Sequence, residues 1–307
     1  MKNLTKEKII TRIPELTDET LIPITKGYSF DLKYVTHWKG QRVLLRIYEF
    51  ALSESVQEKV AKMRAFRERG VRCQEVYAFG VIPEENFCYT IFSFLEGEDG
   101  EVALPSLTEA EQYRAGYEAG VDLLKIHELP IVASKSEHIG FVKTKFEKAV
   151  ERYLKLETRI PHDQEIIDYV RRNLSIIGES KLVFAHHDYH AGNLIIQHGK
   201  YAGVIDFNRC GVNTAYSEFD KLELFSSRLS IPFSKGMIQG YFSDEVPDLF
   251  WKIRSVHMAQ LLIYHMNWAT DFFPQDLSLA EEAIEYVLET YDGFHRMFPK
   301  WYEESQA

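Results

Sequence analysis

Hydrophobic periodicity changes character once along this chain, near Leu95, and that change restricts the fold more than any single motif does. Before it the pattern is that of strands. Tyr28 to Thr36 and Gln41 to Tyr48 are rich in Val, Leu, Tyr and Phe, with His37-Trp38-Lys39-Gly40 between them as a turn, so an antiparallel pair is predicted. Ser53 to Arg69 carries Val56, Val60, Met63 and Phe66 at helical spacing and stops at Gly70. Val76 to Val81 and Tyr89 to Phe94 read as two further strands, broken at Pro83-Glu84-Glu85-Asn86. The polar run Glu96-Gly97-Glu98-Asp99-Gly100 then suits a hinge, which divides a lobe over 1–95 from a second over 96–307. Beyond it helical spacing dominates. Thr108 with Glu111 makes a capping box for a helix running to His127, and further helical patterns cover roughly 141–157, 163–178, 217–228, 247–268 and 279–297. The expected class is α+β, with a small antiparallel sheet carrying one helix and a larger, mainly helical lobe.

Composition narrows the function classes. With 45% apolar and 27% charged residues the chain has the makings of a packed core rather than of a disordered segment. A formal charge of −10 argues against a surface built to neutralise nucleic-acid phosphates. The opening residues MKNLTKEKIITRIPELTDE lack an apolar signal core, and no uninterrupted apolar run approaches the ~20 residues a bilayer span needs. A soluble, cytoplasmic protein without a membrane partner is expected. Cys73, Cys88 and Cys210 are widely spaced and include no CxxC, so neither a disulfide framework nor a structural zinc site is suggested.

Three brief apolar strands, Leu182 to Ala185, Asn193 to Gln197 and Tyr201 to Ile205, interrupt the helical half. Their loops hold His186-His187-Asp188-Tyr189-His190-Ala191-Gly192-Asn193 and, after a hairpin, Asp206-Phe207-Asn208. Asp and Asn often do no more than close turns, but that explains one residue at a time. Two carboxylates and a carboxamide converging on one spot are what phosphoryl transfer requires: magnesium takes oxygen ligands such as Asp206 and Asn193, and a hydroxyl nucleophile needs an acceptor such as Asp188.

HHDYHAGN followed by VIDFN resembles the catalytic and metal-binding loops of the aminoglycoside phosphotransferase family, which has the protein-kinase-like fold. The family's His-x-Asp, its Asn five residues later and its Ile-Asp-Phe-Gly type segment all find counterparts, and sheet, hinge and helical half come in the family's order. The resemblance implies a kinase that uses ATP or GTP and Mg2+, with Asp188 as the catalytic Asp and Asn193 and Asp206 as magnesium ligands. It also implies a nucleotide-positioning loop at Gly27 and Ser29 and a nucleotide contact along the hinge at Ser93 and Leu95. Arg46 stands where protein kinases carry the phosphate-binding Lys; it is a permanent cation but no geometric copy of Lys. Its partner is expected on the following helix at Glu54 or Glu58, with Glu58 favoured. Asn208 replaces the family's Gly and is expected to keep that turn by adopting positive φ.

For the acceptor, residues 206–307 hold 16 acidic against 8 basic side chains, a surplus that either attracts a polycationic aminoglycoside or simply solvates the surface. Glu218, Asp220 and Asp271 are the candidate carboxylates, and His190 serves either as loop support or as a substrate contact. Trp251, His257, Tyr264, His265, Trp268, Phe272 and Phe273 form either a cage for a quaternary ammonium or sugar, or plain core. Choline, a sugar, homoserine or a macrolide would need the same loops. Two other classes stand beside this reading: a nucleotide-binding module with impaired catalysis, suggested by Arg46 and Asn208, and a His/Asp metallohydrolase built on His186, His187, Asp188 and His190.

Overall fold

The computed structural model describes residues 4–14, 16, 20–25 and 31–303. The chain divides into two compact units, 1–97 with 202–205, and 98–201 with 206–307.

In the first unit, helix α1 (Lys6–Arg12) precedes strands β1 (Ile22–Pro23), β2 (Leu32–Trp38) and β3 (Gln41–Glu49), helix α2 (Ser53–Glu68), and strands β4 (Val76–Ile82) and β5 (Phe87–Ser93). Among the described residues these strands make one antiparallel sheet in the order β1-β2-β3-β5-β4. Lys39 and Gly40 both take positive φ, so β2 and β3 are joined by a two-residue turn whose twist matches that of the strands. Alternation along β3 divides its residues between two faces. Val43, Leu45 and Ile47 pack with Ile9 of α1 and with Phe87, Tyr89 and Ile91, while Tyr48 on the other face meets Val56 of α2 and Cys88. The α2 stripe Val56, Val60, Met63 and Phe66 is buried as its spacing predicts.

The second unit begins with strand β6 (Glu98–Asp99) and helices α3 (Gly100–Ala103), α4 (Glu109–His127), α5 (Lys135–Tyr153) and α6 (Asp163–Asn173). Strands β7 (Leu182–Ala185), β8 (Leu194–Gln197), β9 (Lys200–Val204, of which 202–204 count with the first unit) and β10 (Gly211–Thr214) follow, then helices α7 (Ile231–Phe242), α8 (Asp248–Phe272), α9 (Leu277–Tyr291) and α10 (Lys300–Glu303). The Thr108/Glu111 capping box opens α4. Helix α8 buries 15 of its 25 residues and is wrapped by α5, α6 and α9.

Three sequence expectations need correction. Helix α5 starts at Lys135, capped by Ser134, ahead of the expected 141: its opening residues Lys135 to Glu137 are polar and exposed, while Ile139 and Val142 already pack on the core. The 217–228 helix is instead a 3-10 segment, Ala215–Phe219, followed by a π segment, Leu222–Ser227. Helix α7 lies outside the helical patterns of the sequence, and Gly236 and Gly240 have low helix propensity. Its glycines are what pack it. A Cβ at Gly236 or Gly240 would collide with the carbonyl of Tyr113 or Tyr117 on α4, and one at Gly116 or Gly120 with the carbonyl of Phe233 or Met237 on α7. Gly236→Ala, normally helix-stabilising, is therefore expected to cost about 2 kcal/mol and lower Tm by about 6 °C, as thermal melting would register. An unchanged melting point would mean that the two backbones do not touch.

Candidate functional site

Strand β7 is short and apolar, and its last residue, Ala185, pairs antiparallel with Gly211, the first of β10. The segment leaving β7 and the segment entering β10 therefore emerge at the same end of one ladder. Phe207 lays its ring edge-on to that of His186, 4.8 Å between centroids, and ties the two loops together. His187 and Asp206 both sit in the left-handed region, at φ 65° and 64°. For non-glycine residues that conformation is strained, and it persists where neighbours over-determine it. The positive φ expected at Asn208 belongs to Asp206 instead. Asn208 lies in the 3-10 turn Phe207–Arg209 and donates its amide to Asp206 Oδ1.

Asp188 and Asn193 are in direct contact. Asn193 Nδ2 donates to the Asp188 carbonyl at 2.8 Å and to Asp188 Oδ2 at 3.2 Å, so the amide turns its oxygen away from that pair. His190 closes the turn between them: its Nδ1 accepts from the Gly192 N–H at 3.2 Å, and its Nε2 lies 3.7 Å from Asp188 Oδ1. Burial lowers His190 to about 4, so the ring is neutral at pH 7. The π segment closes on the same loop from another side. Ser226 Oγ accepts from the Ala191 N–H at 3.1 Å, Phe225 lies against His190, and Lys221, just before the segment, brings Nζ to 4.0 Å from Asp188 Oδ1.

The backbone of the Asp188 loop hangs on Glu218. Its Oε2 accepts from the His186 N–H at 2.5 Å and lies 3.5 Å from His127 Nε2, while His127 Nδ1 meets the Tyr241 hydroxyl at 2.9 Å. Burial pushes the Glu218 carboxyl up, but its contact with His127, together with the nearby His186 and His187, outweighs that and holds it below the ordinary glutamate value. Glu218 is fully enclosed and is a support of the loop rather than an acceptor contact. Asp271, the second expected acceptor carboxylate, is ion-paired with Arg152. Asp220 is half-buried, and burial holds its carboxyl well above the ordinary aspartate range. Of the aromatic stretch, Trp251 and His257 are core, whereas Trp268 and Phe272 are exposed and His265 stacks on Trp268.

In the first unit Arg46 does not pair with Glu58. Its Nε donates to Asp31 Oδ2 at 2.6 Å with both side chains buried, while Glu58 is 76% exposed beside Lys62. The reason is geometric: Arg46 stands on the same face of β3 as Tyr48, but Glu58 projects from the solvent side of α2. The Ser93 N–H donates to the Glu75 carbonyl, Ser93 Oγ accepts from the Glu75 N–H, and the Ser93 carbonyl accepts from Gln74, so its polar groups are engaged within the unit. Leu95 is half-buried in irregular backbone. Gly27 and Ser29 lie outside the described residues.

A sequence model of the phosphotransferase enzyme family matches residues 20–250. The chain belongs to that family. A search of curated proteins finds no match. Solved phosphotransferases share the fold at low identity. Aminoglycoside 2'-phosphotransferase-IIIa in its GDP complex is 12% identical, with 92% of this chain and 95% of that one aligned at a TM-score of 0.66. A choline/ethanolamine kinase family protein from Mesorhizobium loti is 15% identical over 95% and 96%, with a TM-score of 0.64. The APH(2")-IIa of a gentamicin complex is 16% identical over 97% and 100%, with a TM-score of 0.65. The small antiparallel sheet lobe and the larger helical lobe are thus those of the protein-kinase-like phosphotransferase fold.

Within this family fold, sequence reasoning missed Lys221, Ser226, Asp31 and the His127–Tyr241 prop. No local spacing announces Lys221, Ser226 or the His127–Tyr241 prop, since each reaches its partner across the fold, and Asp31 meets Arg46 across the β2–β3 ladder. Among the described residues no group of three or more His, Cys, Asp and Glu side chains is arranged to hold a metal ion, and His186, His187 and His190 are occupied with Tyr189 and Phe207, with Asn213, and with Gly192. No described helix is long and apolar enough to cross a membrane.

Proposed function

We propose that this phosphotransferase is a small-molecule kinase that moves the γ-phosphoryl group of ATP or GTP to a hydroxyl group. The observation that carries the reading is the Asp188–Asn193 contact, on a loop joined to the Asp206 turn through the rings of His186 and Phe207. Asp188 accepts the hydrogen bond of the acceptor hydroxyl. As the new O–P bond forms, the hydroxyl proton passes to that carboxylate, and the nucleoside diphosphate leaves with the electrons of the broken O–P bond. Asn193 fixes the carboxylate through Nδ2, and His190, neutral, supports the loop without competing for the proton.

Asn193 Oδ1 and the Asp206 carboxylate are hard oxygen donors, and among the described residues no hydrogen bond engages Asn193 Oδ1, so both suit Mg2+. When bound, the ion would neutralise phosphate charge. Arg46, Gly27, Ser29, Ser93 and Leu95 are carried as nucleotide contacts, with the cytoplasm as the place of action.

Removing divalent cations tests the reading. EDTA is expected to abolish phosphate transfer from ATP or GTP, by at least about a hundredfold, with recovery on adding Mg2+. Turnover that needs no nucleotide and stops only with a zinc chelator would replace this reading with the hydrolase.

A further inference from the structure

Beside Asp188 stands a cation, and the carboxylates expected to receive a polycation are engaged elsewhere or enclosed. Of the three candidate acids, Glu218 is enclosed under the His186 N–H and Asp271 is paired with Arg152. Asp220 is held toward its protonated form by burial, with Oδ1 enclosed and without a hydrogen-bond partner among the described residues. In their place stands Lys221, 25% exposed, with Nζ 4.0 Å from Asp188 Oδ1 and 5.3 Å from the Phe225 ring centroid. Arg209, exposed at the end of the Asp206 turn, is close enough to influence both Lys221 and His190. Glu101, exposed, faces the opposite ring nitrogen of His190 at 3.7 Å.

We propose that the acceptor is an anionic alcohol, a hydroxyl compound carrying a carboxylate or phosphate group near its reacting oxygen, and that Lys221 and Arg209 bind that group beside Asp188. Lys221 and Arg209 are both hydrogen-bond donors with a full positive charge, and an anion is the ligand that satisfies such a pair. A cationic amino sugar would bring ammonium groups toward Lys221, where like charges repel. The inference rests on the kinase reading above for the role of Asp188.

The test is calorimetric titration of the protein loaded with Mg2+ and AMP-PNP, using D-glycerate as the carboxylate probe, glucose 6-phosphate as the phosphate probe, glucose as the neutral one and kanamycin as the polycation. At least one anionic probe is expected to bind more tightly than glucose and kanamycin, and which one does so identifies the anion. Lys221→Met should weaken that binding by about 10- to 100-fold, the loss of a charge-assisted hydrogen bond, and change glucose binding by less than about twofold. Lys221→Arg, which keeps the cation and guards against misfolding as the explanation, should stay within about threefold of the parent. Tightest binding of kanamycin, anion binding indifferent to Lys221→Met, or no anionic probe bound would each overturn the proposal. So would a Lys221→Met loss confined to kcat and equal for every acceptor, which would place Lys221 on the transferring phosphoryl group. The kinase reading fails by a separate result: nucleotide turnover unchanged in Asp188→Asn.

Discussion

Asp188→Asn is expected to lower kcat for phosphate transfer by about two to four orders of magnitude, the usual contribution of a positioned base. The replacement is close to isosteric. Asn193 keeps its 2.8 Å bond to the carbonyl of residue 188, and the new amide oxygen can still accept its second, 3.2 Å hydrogen bond. What disappears is the capacity to take the acceptor's proton, along with the charge that Lys221 faces. The loss should therefore fall on kcat, with the nucleotide KM changed by less than about threefold and the melting curve preserved, since an interaction made only in the transition state shows itself this way. Steady-state kinetics with saturating nucleotide would measure it. A variant that retains more than a tenth of parental kcat would remove Asp188 from the role of base and return the site to a merely structural reading of its turn.

That the Asp188–Asn193 loop and the hairpin returning to Asp206 were legible in the sequence follows from how locally they are specified. Asp188 and Asn193 share one loop, and the hairpin returning to Asp206 is written in two short apolar runs. The sheet was readable for the same reason: Lys39-Gly40 fixes one turn and the α2 stripe fixes one face. What stayed hidden depends on partners distant in the chain. Arg46 chose Asp31 over Glu58 because facing on β3, and not proximity in sequence, decides its neighbour. The acidic surplus after residue 206 looked like a single electrostatic feature, yet Glu218 and Asp271 are each consumed by a specific partner. Helix α7 was obscured by the very glycines that let it approach α4, because propensity weighs a glycine without regard to the carbonyl it faces.

Glu218→Ala should be the most damaging substitution outside the loops themselves. The carboxylate is enclosed, accepts from the His186 N–H at 2.5 Å and lies 3.5 Å from His127 Nε2. Removing it leaves a buried backbone donor without an acceptor and a void beneath the loop, a cost of roughly 3 kcal/mol and about 10 °C in Tm. Because His186 lies two residues before Asp188, the same change should lower kcat by about ten- to a hundredfold, as misplacement of a reacting group does. Glu218→Gln, which still offers an oxygen to the His186 N–H, should recover most of the stability, and that recovery separates loop support from bulk. The pH dependence carries a definite sign. The folded-state pKa of Glu218 lies below its unfolded value, so the stabilisation is complete above the ordinary glutamate range and is lost as pH falls through the lowered folded value. Glu218→Gln has no proton to gain there, so melting temperatures followed downward from pH 6 should fall less steeply than in the parent. Parallel acid limbs for the two proteins would show that Glu218 is not ionised under the loop, and the support assigned to it would have to come from elsewhere.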